Sequence, residues 1–260
     1  MNPIETHLKQ SPLLILDGAF STELERRGCN LNDPLWSAKV LIESPDMISA
    51  VHEDYFEAGA DCVITASYQA SFEGFMKRGL SEAEATKLII SSINLAKDAA
   101  ERFLRNTQNV QNHTKPLVAA SVGPYGAYLA DGSEYRGDYQ LNEEGLIRFH
   151  RKRMETLIKA KPDILACETI PCLSEAKALV ALLAENPETY AWVSFSAKDG
   201  EHTNKGDRLE ECASTLDTSE QVAAIGINCT APEYIESLIT EIRKGTNKPI
   251  IVYPNGGEQY

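Results

Sequence analysis

The sequence predicts an α/β fold of the TIM (β/α)8 barrel type. Short apolar, β-branched runs recur along the chain, and segments with helical periodicity lie between them. Continuous apolar character in runs of five to seven residues indicates strands that are covered on both faces, as in a parallel sheet wrapped by helices. No linker, low-complexity tract or Rossmann glycine fingerprint interrupts this order. We therefore expect residues 1–260 to form a single barrel domain.

Seven strands are predicted from these runs, and together they use the whole chain. They span 13–19, 62–68, 116–122, 164–169, 191–197, 223–229 and 249–255. A closed barrel of this type needs eight strands with matched tilt and shear. We therefore expect the eighth strand and its helix to be missing from this chain.

The predicted helices alternate with these strands. They span about 46–59, 81–105, 142–160, 174–185 and 232–244, and the segment 199–216 is polar at first and then weakly helical. Ser81 and Glu84 match a capping box, and Pro45 occupies a first helical position. These local signals fix where two of the helices begin.

Composition excludes several classes of partner. The net charge of −13 repels nucleic acid and anionic lipid. The first dozen residues lack the features of a signal peptide, and no segment is long and apolar enough to span a membrane. Six scattered cysteines are typical of reduced thiols rather than of a disulfide scaffold. We expect a cytoplasmic protein that binds neither nucleic acid nor membrane.

Polar residues stand at the C-terminal ends of the predicted strands, where the loops of such a barrel meet. These residues are Asp17, Thr65, Ser67, Glu168, Asn228 and Cys229. The two carboxylates could hold the ammonium group of an amino acid, because a buried carboxylate needs a cation or hydrogen bonds. Alternatively, Asp17 shapes a turn and Glu168 caps a helix. A glycosidase pair is a further alternative, but no aromatic sugar platform is evident.

The cysteines allow two interpretations. From composition alone, Cys229 is a small buried hydrophobe, as lone cysteines usually are. Cys167 and Cys172 have a spacing that could suggest a metal pair, but it matches no known zinc knuckle, and packing is the preferred interpretation. We interpret the remaining three in the same way: Cys29, Cys62 and Cys212.

A long loop at 123–139 is rich in glycine and tyrosine. Long structured loops on a barrel rim are often lids or binding loops. The alternative is an Ω-loop that is packed by its own tyrosines. The loop is not a phosphate-binding loop, because the GK[ST] ending is missing.

A metal-free lyase or isomerase would be expected to carry a lysine or histidine at a strand end. None of the seven predicted strand ends has one. The histidines fall in the N-terminal tail, helices or loops, at positions 7, 52, 113, 150 and 202. We interpret them as solvated or capping residues.

Six sequence blocks closely resemble the homocysteine S-methyltransferase family. They are LDGA at 16–19, ITASYQA at 64–70, SVGPYGAYLADGSEYRGDY at 121–139, ACET at 166–169, GINC at 226–229 and VYPNGGE at 252–258. The resemblance extends from about residue 12 to the last residue. The long loop block is the most specific, and it resembles the branch that uses S-methylmethionine, or sometimes S-adenosylmethionine, as the methyl donor.

The resemblance implies a TIM barrel with a zinc ion that is held by three cysteine thiolates. Cys229 matches the first of these ligands and would therefore be catalytic. Asp17 and Glu168 match the carboxylates that hold the amino-acid part of homocysteine, and Asn228 matches a residue beside the metal. Thr65 and Ser67 are further candidate substrate contacts. Zinc would deprotonate the homocysteine thiol, which would then attack the sulfonium methyl group to give methionine.

The other two zinc cysteines of the family follow its eighth strand, and this chain has no matching segment. One thiolate cannot complete a three-cysteine site. We therefore expect poor zinc affinity and little or no activity from the 260-residue chain alone. The alternative function is a non-catalytic barrel remnant that binds a small amino acid or a partner chain.

Overall fold

The computed structural model describes residues 1–106 and 115–256, so that predictions for His113 and Glu258 lie outside the described residues. The strands are β1 (Cys62–Ile64), β2 (Leu117–Val122), β3 (Ile164–Ile170), β4 (Ala191–Phe195), β5 (Val222–Asn228) and β6 (Ile250–Tyr253). The helices are α1 (Pro3–Leu8), α2 (Phe20–Arg26), α3 (Ser37–Glu43), α4 (Pro45–Glu57), α5 (Phe72–Lys77), α6 (Glu82–Asn106), α7 (Tyr125–Leu129), α8 (Glu143–Lys159), α9 (Leu173–Ala184), α10 (Leu209–Asp217) and α11 (Ile235–Gly245).

The strands form a parallel sheet, which confirms the α/β class. In the six-stranded sheet the strand order follows the chain. The register places Val63 beside Val118, Val193 beside Ile225, and Ile225 beside Ile250. In a parallel sheet the carboxyl ends of the strands meet at one edge, and loops at that edge form most binding sites.

Compact clustering divides the chain into two units, which we describe separately. The first unit comprises the described residues of 3–121 and 153–164. In it, α6 begins at the predicted capping box: the Ser81 backbone N–H donates to Glu84 Oε2 at 2.8 Å, and the Glu84 N–H donates to Ser81 Oγ at 3.3 Å. Ile89 and Ile93 repeat at helical spacing and are fully buried, so one face of α6 forms core.

The second unit comprises residues 122–152 and the described residues from 165 onward. Its core is formed by β3 to β6 and the helices between them, and Trp192 and Phe195 are almost fully buried. Gly226 on β5 permits the close pairing with β6, because a Cβ atom there would lie 1.8 Å from the carbonyl oxygen of Ile251. The weakly helical segment after β4 does contain a helix, α10.

The predicted count of seven strands is not confirmed. Within the first unit, the segment predicted as a strand at 13–19 makes only an isolated parallel bridge between Leu16 and Cys62. The Asp17 N–H donates to the Cys62 carbonyl, but the next donor, the Ile64 N–H, binds the Asp17 carboxylate at 2.9 Å. A side-chain acceptor thus replaces the backbone acceptor that would extend the ladder.

The sequence analysis did not predict the short helices α2, α3, α5 and α7. In each of them the apolar periodicity covers less than two helical turns. Among the described residues, none of the helices has the combined length and apolar character that a membrane span requires.

His52 on α4 is fully buried in the first unit and stacks on Phe20 with ring centroids 5.0 Å apart, so the interpretation of His52 as a solvated or capping residue is wrong. Neither ring nitrogen has a hydrogen-bond partner among the described residues, and burial lowers the pKa of His52 from 6.5 to about 3. Between these values the unfolded chain binds a proton and the folded chain does not. The folded state therefore loses about 1.4 kcal/mol per pH unit as pH falls below 6.5.

We expect His52→Leu to remove this loss, so that the gap in unfolding free energy between variant and wild type widens by about 2 kcal/mol from pH 6.5 to pH 5. Urea unfolding of both proteins at pH 6.5 and pH 5 measures this change in the difference in unfolding free energy. His202→Leu, which changes a half-exposed histidine, is the control. Parallel pH dependence in wild type and His52→Leu would show that His52 is protonated in the folded state.

Candidate functional site

The candidate site of the second unit lies at the C-terminal ends of β3, β4 and β5. Glu168 and Thr169 directly precede the last residue of β3, Asn228 is the last residue of β5, and Cys229 follows it. Thr169 and Cys229 have φ values of 60° and 47°. This left-handed conformation is unusual for residues with a side chain, and for a β-branched residue it is a marked exception that is often found at functional sites.

Asn228 joins the ends of these strands. Its Oδ1 accepts hydrogen bonds from the Thr169 N–H at 2.7 Å and from Ser194 Oγ at 2.9 Å. Its Nδ2 donates to Thr169 Oγ1 at 2.7 Å and to Cys229 Sγ at 3.3 Å. Because both ends of the buried amide are used, its orientation is fixed, and one N–H points at the sulfur.

A chain of neutral donors holds Asn228 from behind. Trp192 Nε1 donates to the Tyr253 hydroxyl at 3.0 Å, and that hydroxyl lies 2.8 Å from Ser194 Oγ. Since Ser194 donates its own hydrogen to Asn228, the Tyr253 hydroxyl donates to Ser194. Burial first, and then the charge of Glu168, raises the pKa of Tyr253 well above its usual value. All the groups in this series of hydrogen bonds therefore stay neutral, and each group donates to the next, from Trp192 to Asn228.

The thiol of Cys229 is surrounded by hydrogen-bond donors. Besides Asn228, Thr169 Oγ1 lies 3.7 Å from Sγ, and the Tyr135 hydroxyl also hydrogen-bonds to it. Burial, and then the charge of buried Glu168, raises the pKa of Cys229 to about 11, although these three donors act in the opposite direction. In the absence of a metal the sulfur is therefore a protonated thiol at neutral pH.

The first unit contains the other three predicted site residues. Asp17 accepts the Ile64 N–H near the end of β1. Thr65 Oγ1 and Ser67 Oγ lie 2.8 Å apart, Ser67 Oγ donates to the Ser121 carbonyl at 2.8 Å, and the Ser121 N–H donates to Thr65 Oγ1 at 3.1 Å. The hydroxyl groups of Thr65 and Ser67 thus both donate their hydrogens to acceptors within the protein.

The structure therefore brings together Glu168, Asn228 and Cys229 in the second unit, and Asp17, Thr65 and Ser67 near the end of β1 in the first. Sequence reasoning missed four residues of the second unit: Tyr135, Thr169, Ser194 and Tyr253. Ser194 and Tyr253 carried a usable signal, since each is a polar group near the C-terminal end of an apolar strand.

The remaining cysteines form no disulfide. Cys62, Cys167, Cys172 and Cys212 are buried, as expected for packing residues, whereas Cys29 is partly exposed. Burial is the main cause that raises the pKa of the thiols of Cys62, Cys172 and Cys212.

The loop at 123–139 is packed by its own aromatic rings and also reaches the site. Tyr125 contacts Tyr139 and Phe149, with ring centroids 5.3 and 4.9 Å apart. The loop contains α7 and a short 3-10 helix, Ser133–Tyr135, which carries Tyr135 to Cys229. It thus combines the internal packing of an Ω-loop with a residue at the site.

A buried carboxylate anchors this loop to two helices. Glu175 on α9 accepts hydrogen bonds from the Tyr125 N–H at 2.6 Å and from His150 Nε2 on α8 at 2.8 Å. The side chains of Glu175 and His150 are both 0% exposed. Burial first, and then the charge of Glu175, raises the pKa of Tyr139 in the same loop. The interpretation of His150 as a solvated or capping residue is therefore wrong, and sequence reasoning gave Glu175 no role.

The described residues do not by themselves form a metal site. No group of three or more His, Cys, Asp and Glu side chains within 1–106 and 115–256 is arranged to hold an ion. Cys229 fits one ligand position, because the residue is partly exposed at a strand end and its sulfur is surrounded by donors that stabilise a thiolate.

Comparison with known proteins assigns the family. A family model described as "Homocysteine S-methyltransferase" matches residues 14–260. The chain is 63% identical over 260 residues to homocysteine S-methyltransferase YbgG of Bacillus subtilis, covering 100% of this chain and 82% of that protein. The chain belongs to the homocysteine S-methyltransferase family.

Two further comparisons support the assignment. A homocysteine S-methyltransferase of Escherichia coli is 51% identical over 259 residues, covering 100% of this chain and 83% of that protein. The solved structure of the metallated form of the homocysteine methyltransferase MmuM from Escherichia coli matches with a TM-score of 0.94 and 50% identity, covering 98% of this chain and 88% of that one. A structure in this family therefore contains a metal.

Proposed function

We propose that this homocysteine S-methyltransferase transfers a methyl group from S-methylmethionine, or from S-adenosylmethionine, to the thiol of homocysteine. The observation that carries the proposal is the thiol of Cys229, held beside Asn228 and Glu168 at the end of β5. The family assignment supports the same reaction. A non-catalytic remnant is not favoured, because the relatives with 51–63% identity are named as methyltransferases.

Glu168 of the second unit is proposed to hold the ammonium group of homocysteine, and Asp17 of the first unit remains a candidate substrate contact. A carboxylate at a buried strand end is stabilised by an ammonium group, and the ammonium group is the only cation of homocysteine. Thr65 and Ser67 are proposed as further contacts through their oxygen lone pairs, since their hydrogens are already donated. Asn228 positions the sulfur of Cys229.

Cys229 is proposed to provide one thiolate ligand to a zinc ion. Zinc bound there would keep the homocysteine thiol deprotonated at neutral pH. Asn228, Thr169 and Tyr135 would each direct a donor at the Cys229 thiolate, which lowers the cost of placing that negative charge next to Glu168.

Once the homocysteine thiol has lost its proton, the methyl transfer itself needs no base. The homocysteine sulfur forms a bond to the methyl carbon, and the bond between that carbon and the donor sulfonium sulfur breaks. The electron pair stays on the donor sulfur, so the sulfonium becomes a neutral thioether. With S-methylmethionine both products are methionine.

The described sheet is proposed to be part of a (β/α)8 barrel in a single domain, which the likeness to MmuM supports. A cytoplasmic location is also proposed, supported by six free thiols, since structural disulfides are rare in that compartment.

The test uses the purified protein, zinc, homocysteine and S-methylmethionine with an isotopically labelled methyl group. Labelled methionine, detected by mass spectrometry, is the expected product; this replaces the sequence-based expectation of little or no activity, because relatives of which this chain covers 82–83% are named as methyltransferases. Glu168→Gln should weaken homocysteine binding on the order of tenfold or more, because one charged hydrogen bond is worth about 1.5–3 kcal/mol. Absence of labelled methionine together with absence of homocysteine binding would refute the proposal.

A further inference from the structure

The strand β3 has a bulge just before its last residue. Cys167 pairs with Val193 and Ile170 pairs with Phe195, so that two residues of β3 lie opposite a single residue of β4. A bulge of this kind interrupts the ladder of backbone hydrogen bonds, and bulges are frequent beside functional sites. Within the bulge, the backbone N–H of Thr169 donates to a side chain instead of to a neighbouring strand.

Thr169 is strained inside this bulge. Its φ of 60° is left-handed, and the residue is only 1% exposed. A β-branched side chain is disfavoured in this conformation, because Cβ and its two branches crowd the backbone, whereas glycine adopts it without that crowding. The protein thus has a threonine where a glycine would fold with less strain. Strain that persists beside a site is evidence of a function for the residue.

The side chain of Asn228 replaces the missing ladder acceptor. Its Oδ1 accepts the Thr169 N–H at 2.7 Å and the hydroxyl hydrogen of Ser194, the residue opposite the bulge, at 2.9 Å. A backbone N–H can only donate, so the carbonyl end of the amide must face Thr169. The bulge therefore decides which end of the amide lies toward Cys229.

The hydroxyl of Thr169 holds the other end of the same amide. Its Oγ1 accepts Asn228 Nδ2 at 2.7 Å and lies 3.7 Å from Cys229 Sγ. Nδ2 itself is 3.3 Å from that sulfur. Asn228 is fully buried, so its amide has no contact with solvent that could replace a lost hydroxyl. Backbone and side chain of Thr169 thus act together on one amide.

We propose that Thr169 is a positioning residue of the methyl transfer and is kept there despite the strain of its backbone. This inference rests on the proposed function. The bulge orients the amide of Asn228, and the hydroxyl of Thr169 fixes its Nδ2 end beside the sulfur of Cys229. Thr169 acts through these two residues and not by contact with the substrate. Activity therefore follows the hydroxyl at position 169, whereas stability follows the strain of the backbone.

Three substitutions separate the two effects. Thr169→Val keeps the branched shape and the strain without the hydroxyl, Thr169→Gly removes the hydroxyl and the strain, and Thr169→Ser keeps the hydroxyl on an unbranched side chain. We expect the valine and glycine variants to form labelled methionine on the order of tenfold more slowly, and the serine variant to stay within about threefold of wild type. The urea midpoint of Thr169→Gly should lie above that of Thr169→Val.

Hydrogen exchange of the Asn228 side-chain amide gives a readout that needs neither zinc nor substrate. NMR of protein that contains nitrogen-15-labelled asparagine follows the two Nδ2 protons. We expect exchange on the order of tenfold faster in Thr169→Val, because the acceptor at 2.7 Å is lost. Thr169→Ser should keep the exchange rate of wild type.

Thr246→Val is the matched control. It removes a buried threonine hydroxyl from the same unit, before the start of β6, at a residue with an ordinary φ of −155°. We expect this variant to have a lower urea midpoint but a rate within about twofold of wild type.

Wild-type activity of Thr169→Val overturns the proposal. So does a rate that falls only in step with the urea midpoint across the three variants, because that pattern is typical of a purely structural residue. If the wild type forms no labelled methionine, the proposed function fails and the exchange measurement decides the positioning role. An unchanged exchange rate of the Asn228 amide in Thr169→Val then overturns it.

Discussion

Cys229→Ser should reduce methyl transfer to homocysteine by about a thousandfold or more, equivalent to on the order of 4 kcal/mol in the activation barrier. A serine hydroxyl is not ionised at neutral pH and is a much weaker ligand for zinc than a thiolate. In the variant, the three donors that surround the Cys229 sulfur in the wild type would contact a neutral hydroxyl oxygen instead. Initial rates of labelled methionine formation, together with zinc content by atomic absorption, measure the effect.

Cys29→Ser is the matched control for this variant, because Cys29 is partly exposed like Cys229 but lies in the first unit after α2. We expect its rate and zinc content to remain within twofold of wild type on general grounds for surface substitutions. If Cys229→Ser keeps more than about a tenth of the activity, Cys229 is not a ligand that the reaction needs.

Alkylation of Cys229 provides a second readout that is independent of turnover. With its pKa raised to about 11 from a usual value of 9.0, the metal-free thiol should react about a hundredfold more slowly at pH 7 than an unshifted thiol. The rate should rise about tenfold per pH unit up to that pKa, as followed by mass spectrometry of the peptide containing residue 229. Addition of zinc should change this profile, whereas an unchanged profile would argue against metal binding at the sulfur.

Glu175→Ala should lower the free energy of unfolding by about 3–5 kcal/mol. The substitution removes the acceptor of the Tyr125 N–H and the partner of fully buried His150, and it leaves a cavity between α8 and α9. Because this carboxylate anchors the loop that brings Tyr135 to Cys229, we also expect weaker binding of homocysteine. Urea unfolding at pH 7 measures the first effect, and calorimetry measures the second.

Glu185→Ala is the control for this prediction, since Glu185 forms an exposed ion pair with Arg151, the residue next to His150. Its unfolding midpoint should stay close to that of wild type, because exposed ion pairs contribute little. Glu175→Gln keeps an acceptor for Tyr125 and should fall between wild type and Glu175→Ala. A loss of less than about 1 kcal/mol for Glu175→Ala would show that the surrounding residues repack without the carboxylate.

The sequence by itself determined the α/β class and the approximate location of β1 to β6 and of the long helices, but its seventh strand, at 13–19, is not confirmed. Runs such as 191–197 and the capping box at Ser81 are local signals, and local periodicity is sufficient to read them. It also singled out Glu168, Asn228 and Cys229 as candidates, because polar residues at the ends of apolar strands stand out in a parallel-sheet sequence, whereas a metal role for Cys229 was implied only by the family resemblance. The six matching blocks then identified the family, and the comparisons confirmed it.

Only the tertiary structure decided how these residues act together. The link from Trp192 through Tyr253 and Ser194 to Asn228 joins residues up to 61 positions apart, and the anchor between His150 and Glu175 spans 25. Likewise, the segment 13–19 forms a bridge rather than a strand because a side chain, Asp17, takes the next ladder donor. Such contacts depend on which atoms meet across neighbouring strands and helices, and local periodicity contains no information about those distances.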